Sequence, residues 1–378
     1  EREREQSYLL FGTVMMIDRV DAEIQREIHF FILTSFFILS MRGGFHHSFS
    51  RDVTSLFICL YALLPLTHSL SLTAPVRKIF ETVTMKPRSA EELRGGIANF
   101  YDKSSALWED IWGEHLHHGY YSPPDRTDHV QAQIDMVDKL LDFAEIKDPG
   151  SIGKIVDVGC GLGGATRHLV NRYKSADSAV GITLSPYQEK RGNELCVENG
   201  VDRAKVMVAD ALDMPFEDES FDLVWSLESG EHMPDKKKFV GELMRVAKKT
   251  PEKKNKIILC TWVHRDLEEG EAGLRRREKR LLRRINRSYY LPDWCSGQDY
   301  VDLFKAAGVS SQSIKREDWS WAIAPFWKAV IRSSISFRSI FGLIKSGPRT
   351  IRGAVAMFDM LKGFNQGTIK LAVIVVDV

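Results

Sequence analysis

Cysteine is scarce and unpaired in this sequence. Its five residues, Cys59, Cys160, Cys196, Cys260 and Cys295, are odd in number, scattered and without one CxxC step. That spacing argues against a disulfide framework or a zinc site and reads as a chain of a reducing compartment. An excess of one charge is missing as well. The chain has 52 Lys and Arg against 51 Asp and Glu, net +1, which speaks against a dedicated nucleic-acid binder. No apolar stretch reaches the roughly 20 residues of a membrane-spanning helix; segments 29–40 and 55–66 come nearest and are shorter. No internal repeat is visible. What remains is a 378-residue chain, 44% apolar, long enough for a substantial globular core.

The sequence changes character after about ninety residues. From Met41 onward there is a basic opening with Arg42 and Arg51, a short apolar core at 55–66, and an exit of small and hydroxylated residues at 69–74. That order fits a cleaved targeting presequence; a membrane anchor and a structured cap are the alternatives. Residues 1–90 are therefore read as presequence and linker, and 91–378 as the functional domain. Within that domain, amphipathic spacing predicts a helix over 128–145, and KIVDVG reads as a buried strand at 154–159. Helix 164–173, strand 178–183 and helix 186–199 follow. Strands are expected at 205–209, 221–226 and 256–262, with a helix at 235–249. Helices alternating with short β-branched runs imply an α/β fold with a parallel sheet covered on both faces.

Asp157-Val-Gly159-Cys160-Gly161-Leu-Gly163-Gly164 follows the first of these strands and opens a helix. Glycines there permit a tight turn and close backbone approach, and the helix N-terminus offers N–H groups to a polar ligand. Alone the turn is weak evidence, because dinucleotide sites use similar ones; their GxGxxG spacing is absent. Further on, Val208-Ala-Asp210-Ala211 ends one strand and Ser220-Phe-Asp-Leu-Val224 begins another. In this order the set resembles class I S-adenosylmethionine-dependent methyltransferases. The resemblance implies a Rossmann-like, seven-stranded, mostly parallel sheet, S-adenosylmethionine as cofactor and S-adenosylhomocysteine as product. It implies cofactor contacts from Asp157, Gly159, Cys160, Gly161 and Gly163. It also implies contacts from Asp210 to the adenine amino group, with Ala211 and Ser226 beside it. One feature departs. The acidic residue that often holds the ribose is replaced by Gly181-Ile-Thr183-Leu184-Ser185, which leaves that task to Thr183 and the Leu184 backbone.

Longer blocks narrow the resemblance. FYDKSSALWEDIWGEHLHHGYY at 100–121, WSLESGEHMPDKKKF at 225–239 and Thr261-Trp-Val-His-Arg-Asp266 resemble gamma-tocopherol C-methyltransferases of photosynthetic organisms. So do Tyr290-Leu-Pro-Asp-Trp-Cys-Ser296 and Ala324-Pro-Phe-Trp327. The likeness runs from about residue 96 to the C-terminus. It implies methylation of a chromanol ring carbon next to the hydroxyl, turning gamma- into alpha- and delta- into beta-tocopherol, and tocotrienols likewise. It implies a prenylated phenol substrate, a plastid location at envelope or thylakoid, and peripheral membrane contact, with no nucleic-acid partner; oligomeric state stays open. Relatives that N-methylate indole alkaloids make an amine acceptor the rival reading. A silent lipid-associated protein that keeps the fold is the rival of another class, and the intact Gly159, Gly161, Gly163 and Asp210 speak against it.

An aromatic carbon beside a phenol becomes nucleophilic as the hydroxyl loses its proton, so a positioned base helps. His232 lies just past the strand that carries Trp225, at the edge where open α/β sheets bind ligands. It is the expected proton acceptor; Glu228 and Glu231 are the other candidates, as bases or as groups attracting the sulfonium. A role in holding the following loop is the plainer alternative for Glu231 and His232. The segment 96–125 is expected to fold over the cofactor as a lid, with Tyr101 against the sulfonium by cation–π attraction. His115, His117 and His118 lack the partners of a metal site and read as hydrogen-bonding or gating groups. The run 275–287 is apolar only at Leu281, Leu282 and Ile285, a helix with a solvated basic face; contact with membrane headgroups and nucleic-acid binding are the alternatives. A C-terminal insertion over 264–345 is expected to form the acceptor pocket, its Trp- and Phe-rich stretch 319–343 lining that pocket or capping it toward a membrane.

Overall fold

In the computed structural model, residues 88–124, 127–146, 150, 152–250, 255–327 and 348–378 are described. The presequence expected over 1–90 lies outside them up to Pro87, as does the aromatic stretch beyond Trp327. Seven short runs pair into one sheet: β1 (Lys154–Val158), β2 (Ser178–Thr183), β3 (Ala204–Val208), β4 (Leu223–Leu227), β5 (Lys256–His264), β6 (Ile314–Asp318) and β7 (Ile369–Asp377). Their order is β3-β2-β1-β4-β5-β7-β6. Only β7 runs opposite to the rest, pairing with β5 from Lys256↔Asp377 to His264↔Ile369. The expected strands fall within two residues of those observed.

The helices are α1 (Ala90–Trp112), α2 (His129–Ala144), α3 (Gly164–Arg172), α4 (Pro186–Glu198), α5 (Lys236–Val246), α6 (Arg276–Tyr289), α7 (Gly297–Ala306), α8 (Ser320–Ile323) and α9 (Pro348–Asn365). Local chemistry sets their starts. Asp128, Ser185 and Asp235 each accept a backbone N–H three residues on, and Pro186 supplies the preset φ of a first helical position. Ser89 and Glu92 form a capping box at α1.

Alternation along the strands sends neighbouring side chains to opposite faces. Ile155, Leu223, Trp225, Ile258 and Cys260 pack with Met136 and Leu140 of α2, Leu169 of α3, and Leu281 and Ile285 of α6. Val156, Val224, Ile257 and Leu259 pack with Phe239 and Leu243 of α5 and with Tyr300 and Phe304 of α7. A parallel sheet so covered needs apolar residues on both faces, which is why its strands read as continuous runs. In α6 the three apolar positions are buried while Arg276, Arg277, Lys279, Arg280 and Arg283 are exposed. Among the described residues, no helix is long and apolar enough to cross a membrane, and no group of His, Cys, Asp or Glu is arranged to hold a metal ion. The strand order reverses direction between β1 and β4, so the crevice at their C-terminal ends is where a ligand is expected.

Candidate active site

A cavity of about 470 Å³ opens at that crevice. Its floor is the turn after β1, where Gly159, Gly161 and Gly163 all have positive φ. A Cβ on Gly159 would stand 2.2 Å from that of Ser229, so only glycine allows this approach of the two strand ends. Cys160, Thr183, Leu184 and Asp210 line the same space, as does Tyr101 from α1.

Four of the expected contacts stand behind the wall instead. Asp157 is buried and accepts the Thr166 hydroxyl at 2.7 Å; burial pushes its carboxyl up to about 7, with Thr166 pulling the other way. It ties β1 to α3. Gly163 caps α3 in a left-handed conformation, with Val206 too close for a side chain. Ala211 is buried, and Ser226 shares a hydrogen with Ser229, whose hydroxyl donates to the Val158 carbonyl. None of the four lines the cavity; Asp157, Gly163 and Ser226 brace the turn, and Ala211 belongs to the core cluster with Met214 and Phe221.

Helix α1 covers the cavity. Asp102 accepts from the Ser185 hydroxyl and, at 3.4 Å, from the Tyr187 N–H. Gln188 donates to Ser105 at 3.0 Å, and Arg191 donates to Glu109 at 2.9 Å. A carboxylate thus does stand at the end of β2, but it arrives from α1, more than eighty residues away. Sequence reading also missed Arg94, which pairs with Asp210, and Gln188, which accepts the Thr183 hydroxyl at 2.6 Å. The Ser185-Pro186 helix start marks the first turn of α4 and gave a signal for Gln188; nothing local marks Arg94.

At the end of β4, Glu228 takes φ 52°, a strained conformation for a residue with a side chain. It accepts the His118 backbone N–H at 2.8 Å, His118 Nδ1 at 2.6 Å and Trp262 Nε1 at 3.0 Å. Burial alone would raise its pKa, but His118 brings it below the usual carboxylate value, so it stays ionised. The single turn Gly230–His232 follows. Glu231 accepts the Thr261 hydroxyl at 2.8 Å; burial, then the charge of Glu228, pushes it up to about 7. Lys236 donates to the carbonyls of Gly230, Glu231 and Met233, and burial lowers it to about 8. His232 Nε2 lies 3.1 Å from the Tyr101 hydroxyl, and its Nδ1 is buried without a partner. Burial and Lys236 push His232 down to about 4, and burial with Glu231 and Glu228 pushes Tyr101 up. Both are therefore neutral near pH 7.

The remaining histidines are braced. Gln133 of α2 donates to the carbonyls of His115 and His117. His117 donates from Nδ1 to the His118 carbonyl, so its Nε2 accepts from His115 at 3.2 Å. Burial lowers both imidazoles. A second cavity, about 220 Å³, adjoins this group. Its lining combines aromatic side chains (Phe100, Trp108, Trp112, Trp262, Trp294, Phe326 and Trp327) with a cluster of histidines, Gln133, Glu228 and Glu231, apolar walls with convergent polar groups, the composition of a small-molecule pocket. Tyr101, Leu116, His117, Glu228 and His232 belong to both cavities. The first cavity fits S-adenosylmethionine. Its floor brings backbone within reach, and Asp210 and the ionised Glu228 both line it.

Residues 156–250 match the family model described as a methyltransferase domain. The chain is 47% identical to the chloroplastic tocopherol O-methyltransferase of Arabidopsis thaliana, over 76% of this chain and 82% of that one. It is 33% identical to ajmaline N-methyltransferase of Rauvolfia serpentina, over 75% of this chain and 97% of that one. In three dimensions it is similar to a putative sarcosine dimethylglycine methyltransferase from Galdieria sulphuraria. The TM-score is 0.60 at 23% identity, covering 72% of this chain and 97% of that one.

Proposed function

This chain belongs to the tocopherol O-methyltransferase family of class I S-adenosylmethionine-dependent methyltransferases, and from that premise we propose that it methylates a prenylated phenol of the tocopherol type. The observation that carries the reading is the wall shared by the two cavities. A cofactor in the glycine-floored cavity and a ring in the aromatic one would meet across Tyr101, Glu228 and His232.

S-adenosylmethionine supplies an electrophilic methyl group and needs no further activation. The chain's own work is to hold the ring still, exclude water and draw off the hydroxyl proton. Gly159, Gly161, Thr183, Leu184 and Asp210 would hold the cofactor. The ionised Glu228 would favour its positive charge, and the Tyr101 face would lie against it. His232 and Glu231 line the acceptor cavity and are the groups of the turn that would meet the ring. We take the methylated atom to be the ring carbon ortho to the hydroxyl, giving alpha-tocopherol from the gamma form and beta from the delta form. The blocks at 100–121 and 225–239 and the chloroplastic relatives support this reading and a plastid location.

The test offers the full chain gamma-tocopherol, delta-tocopherol and a simple indole amine separately, with methyl-labelled cofactor. Label in a product that keeps a free phenol supports ring methylation. Label in a methyl ether would move the reaction to oxygen, and label in the amine alone would replace the reading with N-methylation.

A further inference from the structure

His118 joins the acceptor cavity to Glu228 in a way that no other histidine of the site repeats. Its Nδ1 donates to Glu228 Oε2 at 2.6 Å, and its backbone N–H donates to Oε1 at 2.8 Å. The carboxylate is itself fixed by Trp262 Nε1 at 3.0 Å. In the neutral imidazole, a proton so placed on Nδ1 leaves the other ring nitrogen with a lone pair. That atom, Nε2, is buried and has no hydrogen-bond partner. The ring sits against Phe326, Trp262 and Trp327, at centroid distances of 4.3, 5.0 and 5.4 Å. A lone pair left bare among aromatic rings, with a carboxylate holding the far side of the imidazole, is the arrangement of a base oriented by an acid.

The alternatives are less well built. His115 Nδ1 and both ring nitrogens of His117 are engaged. His232 also has an unpartnered nitrogen, but its other nitrogen meets the Tyr101 hydroxyl and no carboxylate stands behind it. Its fall to about 4, from burial and Lys236, further weakens it as a base toward a phenol. Resting on the phenol reading given above, we propose that His118, oriented by Glu228, is the catalytic residue that removes the proton of the acceptor's hydroxyl.

The step balances as follows. The phenolic O–H bond breaks, its proton goes to His118 Nε2, and its electron pair enters the ring. The ortho carbon forms its bond to the methyl while the methyl–sulfur bond breaks, and that pair remains on sulfur as a neutral thioether. The hydrogen on the methylated carbon then leaves to water, its bonding pair restoring the aromatic ring. The oxygen recovers a proton from His118, so one proton is released per methyl transferred. Glu228 is the positioning residue: it selects the tautomer and faces the positive charge the imidazole takes on.

The test needs a reading besides turnover. A nitrophenol soaked into the site reports its own ionisation by its yellow phenolate absorbance, in the absence of cofactor. The wild-type chain should bind it as phenolate, and His118→Asn, which keeps a donor toward Glu228, should bind it as the neutral phenol. Glu228→Gln should give an intermediate fraction. In tocopherol turnover, kcat should fall by about 10²–10⁴-fold in His118→Asn, with S-adenosylhomocysteine affinity within about twofold of wild type as the check on folding. Phenolate bound to His118→Asn, or wild-type kcat in that variant, would overturn the assignment. A wild-type chain that methylates only the amine overturns the phenol reading itself, a different failure from the first.

Discussion

Arg94 and Asp210, 116 residues apart, are joined by an ion pair between the covering helix α1 and the loop after β3. On the proposed function, Asp210 is also the residue that accepts the adenine amino group of the cofactor. Arg94 therefore competes for the acceptor that the cofactor needs. Its side chain is more than half exposed, and such a pair contributes about 0.2–1 kcal/mol. Replacing Arg94 by Ala should tighten cofactor binding by up to about fivefold, while Asp210→Ala should weaken it at least tenfold. Isothermal titration with S-adenosylhomocysteine measures both, and weaker binding in Arg94→Ala would mean that the guanidinium assists the cofactor.

Asp102 carries the second expectation. It receives the Ser185 hydroxyl and the Tyr187 N–H, and so fastens α1 to the first turn of α4. Asp102→Ala leaves those donors without their acceptor, a loss of about 1–3 kcal/mol. Thermal melting should show a lower midpoint, and cofactor KM should rise because the cover no longer sits on Thr183 and Leu184. An unchanged KM with a lowered midpoint would make the contact structural only.

The buried Asp157 gives the pH dependence. Its folded pKa of about 7 lies above the unfolded value of 3.8, so the folded state holds the proton more tightly. Stability from this group is then present at acid pH and falls as pH rises from about 4 through about 7. His232, lowered to about 4, acts in the opposite direction between about 4 and 6.5. A difference between two chains isolates the aspartate. Asp157→Asn, which still accepts from Thr166, should gain on the order of 3–4 kcal/mol over wild type between pH 4 and pH 8. Denaturant melts of the cofactor-free chain at the two pH values test this, and parallel curves would contradict it.

Helix α6 presents Arg276, Arg277, Lys279, Arg280 and Arg283 to solvent. An enzyme that draws a prenylated substrate from lipid gains from such a face, at about 1 kcal/mol per basic residue near an anionic surface. Exchanging Arg276, Arg280 and Arg283 for Glu should abolish salt-sensitive sedimentation with phosphatidylglycerol vesicles and leave cofactor binding unchanged. Equal sedimentation of both chains would leave the face as a solvated one.

Much of the fold was legible because its signals are local. β-branched runs such as KIVDV and SAVGIT, with Ser185-Pro186 and Asp235 as helix starts, place strands and helices within a residue or two. The apolar positions Leu281, Leu282 and Ile285 likewise marked the buried side of α6. The cofactor turn was legible as glycine spacing, yet spacing does not say which residues face a cavity. Asp157, Gly163 and Ser226 turn inward to hold the turn because β1, β4 and α3 crowd there, and Ala211 is taken up by the core. Least legible were contacts made across long stretches of chain: Arg94 with Asp210, Asp102 with Ser185, and His118 with Glu228. Each depends on where the segment before the sheet folds back, and no pattern within that segment records its partner.

The most direct test of the account is a crystal structure of the chain with S-adenosylhomocysteine and gamma-tocopherol bound together. The chromanol ring should lie among Trp262, Phe326 and Trp327, its hydroxyl within hydrogen-bond distance of His118 Nε2, and the cofactor sulfur across the wall of Tyr101, Glu228 and His232. A ring bound away from that cavity, or turned with its hydroxyl far from His118 Nε2, would contradict it.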